Sequence, residues 1–294
     1  MTDMQTILVA GATGNIGGGA AHALAKRGAR IVLLGREQGK LDSRAKSILN
    51  KLSKEQSEPQ DTQVDTLVVD FSDMDSVRLA AAQALERFPC MDGLVLSAVA
   101  LVQHGPHILP SGNELMFATN VMGPFLFTQL LIERLELSDG LILHVIASFY
   151  NEIDWDDLQS IQNHDTEVAY HRTKTCNRMI AAELARRYAG RISSVAFDPS
   201  FIIDKDDPEL AKRWPSGFMG FFWRVMTILF ARPPEVAGEP IANLMLSHPD
   251  RSQLNGALFK LDKRIEKPDK AMHDEASGKK LWEQLMVLTG LSNG

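Results

Sequence analysis

A glycine-rich turn near the start of the sequence constrains the fold more than any other feature. It follows the short apolar segment Thr6–Ala10 and opens a segment rich in alanine. Glycine permits a tight turn and lets backbone amides approach a phosphate, which the N-terminus of a following helix then stabilises. A strand, such a turn and a helix together predict a dinucleotide-binding unit. The turn residues that we expect to bind this cofactor are Gly11, Thr13, Gly14, Asn15, Ile16 and Gly17.

Segments typical of β-strands alternate with longer helical segments along the chain. We predict strands at Thr6–Ala10, Arg30–Leu34, Val64–Asp70, Leu94–Ser97, Leu141–Ile146, Ser193–Phe197 and Ala257–Leu261. We predict helices at Ile16–Arg27, Gln38–Leu52, Met74–Phe88, Glu114–Leu137, Val168–Tyr188, Pro234–Ser247 and Lys279–Leu288. This alternation favours an α/β fold, a Rossmann-type doubly wound parallel sheet with helices on both faces. We expect a single domain over residues 1–294, with an irregular insert at about 198–232.

Composition argues against several classes of function. The formal net charge is −6 and no basic cluster offsets it, so a nucleic-acid partner is not expected. The two cysteines, Cys90 and Cys176, lie far apart and match no metal-binding spacing, so we expect no metal. We find no signal peptide and no apolar run of the roughly 20 residues that a membrane span needs. These observations predict a cytoplasmic protein.

The end of the second predicted strand bears on the choice of cofactor. Gly35 and Arg36 stand where an enzyme that binds NAD usually has an acidic residue for the ribose 2′-hydroxyl. A guanidinium suits a 2′-phosphate instead. We therefore predict that NADP(H) is preferred over NAD(H), and that Arg36→Ala narrows the difference mainly by weakening NADP(H) binding. The alternative interpretation is an exposed arginine at the end of a strand.

A tyrosine and a lysine, Tyr170 and Lys174, stand four residues apart in the segment predicted to be the fifth helix. This spacing places both side chains on one face of a helix. We expect the ammonium to lower the pKa of the phenol from its ordinary value near 10. A phenol tuned in this way can pass a proton to or from a substrate oxygen.

With these residues the chain resembles the short-chain dehydrogenase/reductase superfamily over nearly its whole length, most closely its retinol-dehydrogenase-like branch. The segments that carry the resemblance follow one another in the order of the family. They are the glycine turn, Val69–Ser72, Glu114–Gly123, Trp155–Gln159, Ala169–Lys174, Asp198–Ser200 and Leu281–Glu283.

The resemblance implies further roles in the site. Asp70 and Phe71 would hold the adenine, and Ser97 and Ala98 would line the cofactor ribose. The segment from Pro199 to Ile202 would face the nicotinamide carboxamide. The resemblance further makes Tyr170 the proton donor or acceptor, has Lys174 bind the nicotinamide ribose, and has Asn120 anchor a water in the proton relay.

The chain also departs from the family pattern. Val99 and Ser200 stand where the family commonly has glycine. The family commonly has paired serines after the fifth strand, where this chain has Ala147 and Ser148. If the strand aligns without a gap, Ala147 takes the catalytic place and the serine is missing. If the strand is one residue longer, Ser148 takes it, and this is the alignment that we favour.

Residues 217–230, in the second half of the insert, are unusually apolar and aromatic. They predict a helix packed on the domain, a lid over a small lipophilic substrate, or a surface for peripheral membrane contact. The single Arg224 weakens the third interpretation. The fourth and fifth predicted helices, Glu114–Leu137 and Val168–Tyr188, are long enough to form the homodimer contact common among relatives.

Our leading hypothesis is an NADP(H)-dependent oxidoreductase that interconverts a lipophilic ketone or aldehyde and its alcohol, with Tyr170 as acid and base. The catalytic residues would be Tyr170, Lys174, Ser148 and Asn120. Two alternatives use the same fold. One is a non-redox enzyme, an isomerase or a cyclase, and the other is a non-catalytic redox sensor that binds NADP(H).

Overall fold

Eight strands in the described part of the chain form one sheet. The structure, a computed structural model, describes residues 4–55, 62–102, 105–203, 224–225, 227–247, 250–267 and 270–291. The strands are β1 (Thr6–Ala10), β2 (Arg30–Gly35), β3 (Val64–Val68), β4 (Gly93–Leu96), β5 (Leu141–Val145), β6 (Ser193–Asp198), β7 (Leu258–Lys260) and β8 (Lys263–Ile265). Their order is β3-β2-β1-β4-β5-β6-β7-β8. All neighbours are parallel except β7 and β8.

Helices connect the parallel strands. They are α1 (Asn15–Lys26), α2 (Gln38–Glu55), α3 (Met74–Arg87), α4 (Leu115–Phe117), α5 (Gly123–Glu136), α6 (Thr166–Arg187), α7 (Glu235–Leu246), α8 (Lys270–His273) and α9 (Glu275–Leu288). A π-helical turn, Ala118–Met122, joins α4 to α5 without a break. A short 3₁₀ turn, Arg251–Leu254, precedes β7.

Alternation along the buried strands divides the core into two layers, because successive side chains point to opposite faces of a sheet. Leu8 and Ala10 of β1 pack in the layer that holds α3, α5, α6 and α9. Ile7 and Val9 pack in the layer that holds α1, α2 and α7. Both faces of the sheet are covered, so the predicted doubly wound α/β fold is confirmed.

The predicted strands agree with the structure to within two residues at each end. The largest difference is in β3, which ends at Val68, although the amide of Val69 still donates to the carbonyl oxygen of Gly35 in β2 at 2.9 Å; the turn before α3 begins at Asp70. The edge strand β8 was missed. It has only three residues, and its turn includes Leu261 with a φ of +53°, which no sequence pattern indicates. Much of the insert at 198–232, and most of the apolar stretch 217–230, lies outside the described residues.

The C-terminal helix α9 packs along α6. Trp282 of α9 meets Phe125 of α5 edge to face, with 4.9 Å between ring centres, and lies 6.5 Å from the ring of Tyr188. A homodimer that used α5 and α6 would therefore have to form around α9.

The continuous helix Leu115–Glu136 is long and apolar enough to cross a membrane when judged by length and composition alone. It is the one such helix among the described residues, and 83% of its apolar window is buried inside the protein. It serves here as a core helix between α3 and α6.

Candidate active site

The glycine turn lies at the edge of the sheet where the carboxyl ends of the parallel strands meet, which is where doubly wound sheets bind ligands. Gly11 has a φ of +76°, and a Cβ there would lie 2.7 Å from the Cα of Ala98. A Cβ on Gly17 would lie 2.4 Å from the carbonyl oxygen of Gly11 and 2.6 Å from Ser97 Oγ. The structure thus brings the turn against Ser97 and Ala98, and only glycine fits at both positions.

The N-terminus of α1 faces this edge. Gly14 is its N-cap, in extended conformation, and neither a side-chain cap nor an acidic residue in the first turn occupies the exposed amides. Thr13, Asn15 and Ile16 flank this position. A diphosphate fits such a helix start, since it takes backbone N–H donors and the positive end of the helix dipole.

The residues expected to bind the adenosine half of the cofactor lie at the ends of β2 and β3. Arg36 is exposed and directly follows Gly35. Asp70 accepts hydrogen bonds at Oδ1 from the amide and hydroxyl of Ser72, at 2.9 and 2.7 Å, which fixes its carboxylate. The side chain of Phe71 is buried in the core against Phe127. Only the backbone of Phe71 can take part.

Sequence reasoning missed a second arginine beside the turn. Arg44 of α2 donates from Nη2 to the carbonyl oxygen of Thr13 at 2.9 Å. Its guanidinium lies over Gly18, where a Cβ would be 2.9 Å from Arg44 Cζ. The only signal in the sequence was the unusual glycine at position 18. A side chain there would displace Arg44 from the turn.

Tyr170 and Lys174 lie on one face of α6, with Lys174 Nζ 5.7 Å from the centre of the Tyr170 ring. Lys174 is buried and donates from Nζ to the carbonyl oxygen of Val145 at 3.2 Å. Burial lowers the pKa of Lys174 to about 8. Burial and the charge of Asp198 raise the pKa of Tyr170, so the expected lowering by Lys174 is wrong for this arrangement.

Asn120 lies in the π-helical turn and is almost fully buried. Its Oδ1 accepts from the amide of Ala100 at 2.7 Å, and its Nδ2 donates to the carbonyl oxygen of Ala100 at 3.0 Å and to Thr173 Oγ1 at 3.3 Å. The side chain therefore ties the segment after β4 to α6. These bonds use both hydrogens of Nδ2 and one lone pair of Oδ1, so the expected water could bind this side chain only at the second lone pair of Oδ1.

Ser148 is exposed and does not point its hydrogen toward Tyr170. Its hydroxyl donates to Asp198 Oδ2 at 2.7 Å and accepts from Lys260 Nζ at 3.4 Å. The strand β5 ends at Val145, one residue before the predicted end. The structure thus gives Ser148 a carboxylate partner that the family pattern did not indicate.

The segment after β6 closes this edge of the site. Pro199 is buried, and Ser200 has a φ of +62°, a left-handed conformation that explains why the family commonly has glycine there. The side chain of Ile202 is buried in the layer of α1 and α7, and its backbone pairs with Arg232 in a short parallel bridge.

Comparison with known proteins agrees with this site. A family model described as short chain dehydrogenase matches residues 5–202. The chain is a short-chain dehydrogenase. Human retinol dehydrogenase 14 is 29% identical over 297 residues, which cover 98% of this chain and 87% of that protein. Mouse retinol dehydrogenase 13 is 28% identical over 302 residues, which cover 98% and 84%. The chain is thus a divergent member of the retinol-dehydrogenase-like branch.

Solved structures share the fold. The L-sorbose reductase of Gluconobacter frateurii, solved with NADPH and L-sorbose, superposes with a TM-score of 0.68 at 20% identity and covers 90% of this short-chain dehydrogenase and 98% of that chain. This likeness supports the Rossmann-type architecture. Family membership makes the protein an oxidoreductase with a nicotinamide cofactor.

Proposed function

We propose that this short-chain dehydrogenase interconverts a lipophilic ketone or aldehyde and its alcohol, using NADP(H), with Tyr170 as acid and base. The observation that carries the proposal is the placement of Tyr170 and Lys174 on one face of α6, at the edge that holds the glycine turn. Among the described residues no side chain bonds the Tyr170 hydroxyl, so it is available to a substrate oxygen.

Each residue has a distinct part in this proposal. When bound, the nicotinamide cofactor supplies or takes the hydride at the substrate carbon. Tyr170 gives a proton to the substrate oxygen in reduction and takes it back in oxidation. Lys174 would hold the nicotinamide ribose, and Asn120 keeps the segment after β4 in register with α6. Positioning and hydrogen bonding to the substrate oxygen would provide most of the rate.

Two guanidinium groups support the choice of NADP(H). Arg36 follows β2, and Arg44 lies against the glycine turn; neither has a carboxylate partner among the described residues. A 2′-phosphate accepts charge-assisted hydrogen bonds from such groups, whereas a 2′-hydroxyl gains little from them.

Exposed apolar side chains support a lipophilic substrate. Val99 and Leu101 follow β4, Phe149 follows β5, and Ile228 to Phe230 precede the bridge to Ile202. All are more than half exposed, and Phe149 lies 5.9 Å from the ring of His171, next to Tyr170. Ligand sites favour apolar walls with few polar groups. The relatives named retinol dehydrogenase are consistent with such a substrate.

The cofactor choice is tested by fluorescence titration of the purified protein with NADPH and NADH. We expect tighter binding of NADPH, and Arg36→Ala should weaken it about tenfold or more, because a hydrogen bond to a charged group contributes about 1.5–3 kcal/mol. NADH binding should change little. Arg264→Ala, which removes the same charge from the distant strand β8, is the matched control. Equal affinity of the unaltered protein for both cofactors would refute the preference.

The reaction is tested with a panel of apolar and small polar ketones and aldehydes, following the absorbance of the reduced nicotinamide. Bulky apolar carbonyls should be consumed fastest. Tyr170→Phe should lower turnover by about 10²–10⁴-fold and leave NADPH binding intact, since only the proton transfer is lost. Tight binding of NADPH with no consumption of any carbonyl would favour the redox sensor or the non-redox enzyme instead.

A further inference from the structure

A buried carboxylate shares the edge of the sheet with Tyr170. Asp198 is the last residue of β6 and is 6% exposed. Its Oδ1 accepts from the amide of Ser200 at 2.8 Å, and its Oδ2 accepts from Ser148 Oγ at 2.7 Å. Lys260, its register partner on β7, places Nζ 3.8 Å from Oδ2 and is half exposed. The carboxylate is thus held by three elements of the fold.

This arrangement decides which hydroxyl can donate to a substrate. A serine hydroxyl has one hydrogen, and Ser148 gives it to Asp198. Ser148 therefore offers only lone pairs, one of which already faces Lys260. The Tyr170 hydroxyl keeps its hydrogen available, because none of the described side chains accepts it.

The charged and titratable groups around Tyr170 come from three elements. Lys174 and His171 belong to α6, with Nζ and ring centre 5.7 and 5.4 Å from the tyrosine ring. Asp198 comes from β6, and Lys260 of β7 lies across from Asp198. Burial and the negative charge of Asp198 both raise the pKa of Tyr170. Burial lowers the pKa of Lys174 itself to about 8.

We propose that Asp198 is a positioning residue that makes Tyr170 the proton donor of this site. It does so by taking up the hydrogen of Ser148 and by holding a negative charge beside the phenol. In reduction the substrate carbon gains a hydride from the reduced cofactor, and its oxygen gains the phenolic proton, which solvent then replaces. The role of Tyr170 in proton transfer rests on the function proposed above.

The first test needs neither cofactor nor substrate. The chain has three tyrosines, so the ultraviolet absorbance of tyrosinate, titrated in the protein and in Tyr170→Phe, isolates Tyr170 by difference. Asp198→Asn should lower the pH of this transition, because it removes a nearby negative charge that raises the pKa of Tyr170. Lys260→Met should raise it, because it removes the counter-ion of Asp198. Glu283→Gln, which removes one charge from α9, should leave it unchanged.

Unchanged transitions in both Asp198→Asn and Lys260→Met would overturn the proposal. Lys260→Met also keeps the test open if Asp198→Asn does not fold, because Lys260 lies at the exposed end of β7. Asp198→Glu, which retains the charge, should restore the transition toward that of the unaltered protein. If Asp198 had only a structural role, Asp198→Asn and Lys260→Met would change the stability of the protein but would not move the Tyr170 transition in opposite directions.

A second test uses turnover. With any substrate found in the panel, Asp198→Asn should move the pH dependence of turnover to lower pH, in the same direction as the titration. A shifted titration with an unchanged pH dependence of turnover would overturn the role of Asp198 in proton transfer. If no substrate is turned over, the proposed function fails while the titration still decides the role of Asp198.

Discussion

At the scale of single residues, Lys174 lowers the stability of the protein although the proposed reaction needs it. Burial lowers its pKa from 10.5 to about 8, so the folded protein resists protonating it. A fall of this size corresponds to on the order of 3 kcal/mol. Because the pKa in the folded state is below that in the unfolded state, this cost is fully present below pH 8 and is relieved as the pH rises toward 10.5.

We therefore expect Lys174→Met to raise the free energy of unfolding of the cofactor-free protein at neutral pH by on the order of 2 kcal/mol, part of the gain being lost with the bond to Val145. Turnover should disappear in the same variant. Urea denaturation at pH 7 measures the first effect. Lys46→Met, on the exposed face of α2, should stay within about 0.5 kcal/mol of the unaltered protein. A destabilised Lys174→Met would contradict this prediction.

The sequence predicted the residues of the site better than their partners. The glycine turn and the spacing of Tyr170 and Lys174 follow from local periodicity and turn chemistry, which sequence contains. The bond between Ser148 and Asp198 joins residues 50 positions apart and depends on how β5 and β6 align. The direction of the pKa of Tyr170 depends on burial, which a helix face alone does not reveal.

At the scale of elements, α1 and α7 cross where two glycines meet. A Cβ on Gly238 would lie 2.4 Å from the carbonyl oxygen of Gly19, and a Cβ on Gly19 would lie 2.5 Å from that of Pro234. The two helices thus approach closely because neither carries a side chain at the crossing. Since the N-terminus of α1 is the expected binding site of the cofactor diphosphate, the crossing would help to fix the angle of that helix toward the cofactor.

We expect Gly238→Val to lower the free energy of unfolding by about 1–3 kcal/mol, because overpacking forces the two backbones apart. The affinity for the nicotinamide cofactor should fall as well. Thermal unfolding and cofactor titration measure the two effects. Gly39→Ala is the matched control, since its Cβ would meet no atom within 4 Å and a helical alanine is at least as stable as glycine. Equal stability of the two variants would argue against a close crossing.

Helices and strands were predictable where they were long or fully buried. The π-helical turn at Ala118–Met122 was not predicted; it contains Asn120, whose partners Ala100 and Thr173 lie 20 and 53 positions away in the sequence. Gly123 is the last residue of the segment that begins at Glu114, and a tertiary contact requires glycine at this position. A Cβ there would lie 2.0 Å from the carbonyl oxygen of Phe71.

At the scale of the whole molecule, His144 links stability to pH. It lies in β5, in the middle of the sheet, and burial lowers its pKa to about 3. Its Nε2 has no hydrogen-bond partner among the described residues. The folded state therefore favours the neutral ring, whereas the unfolded chain takes up the proton near pH 6.5. The free energy of unfolding is unaffected by His144 above pH 6.5 and falls as the pH falls from 6.5 toward 3.

We expect the free energy of unfolding to fall by on the order of 2–3 kcal/mol more between pH 6.5 and 4 in the unaltered protein than in His144→Leu. The difference between the two proteins cancels the titration of the surface carboxylates, which they share. Urea denaturation at several pH values measures it. If the free energy of unfolding changed with pH equally in the two proteins, His144 would be protonated as readily in the folded state as in the unfolded state, and the prediction would be wrong.

The sheet order also bears on how the chain is made. β1 lies between β2 and β4, yet β4 starts at Gly93, 83 residues after β1 ends at Ala10. At a synthesis rate of about 5–20 residues per second, that interval lasts about 4–17 s. During this time β1 can pair with β2 while its other edge has no neighbour from its own chain. Slow translation between these strands would therefore prolong the period in which the nascent protein is most open to aggregation and to chaperones.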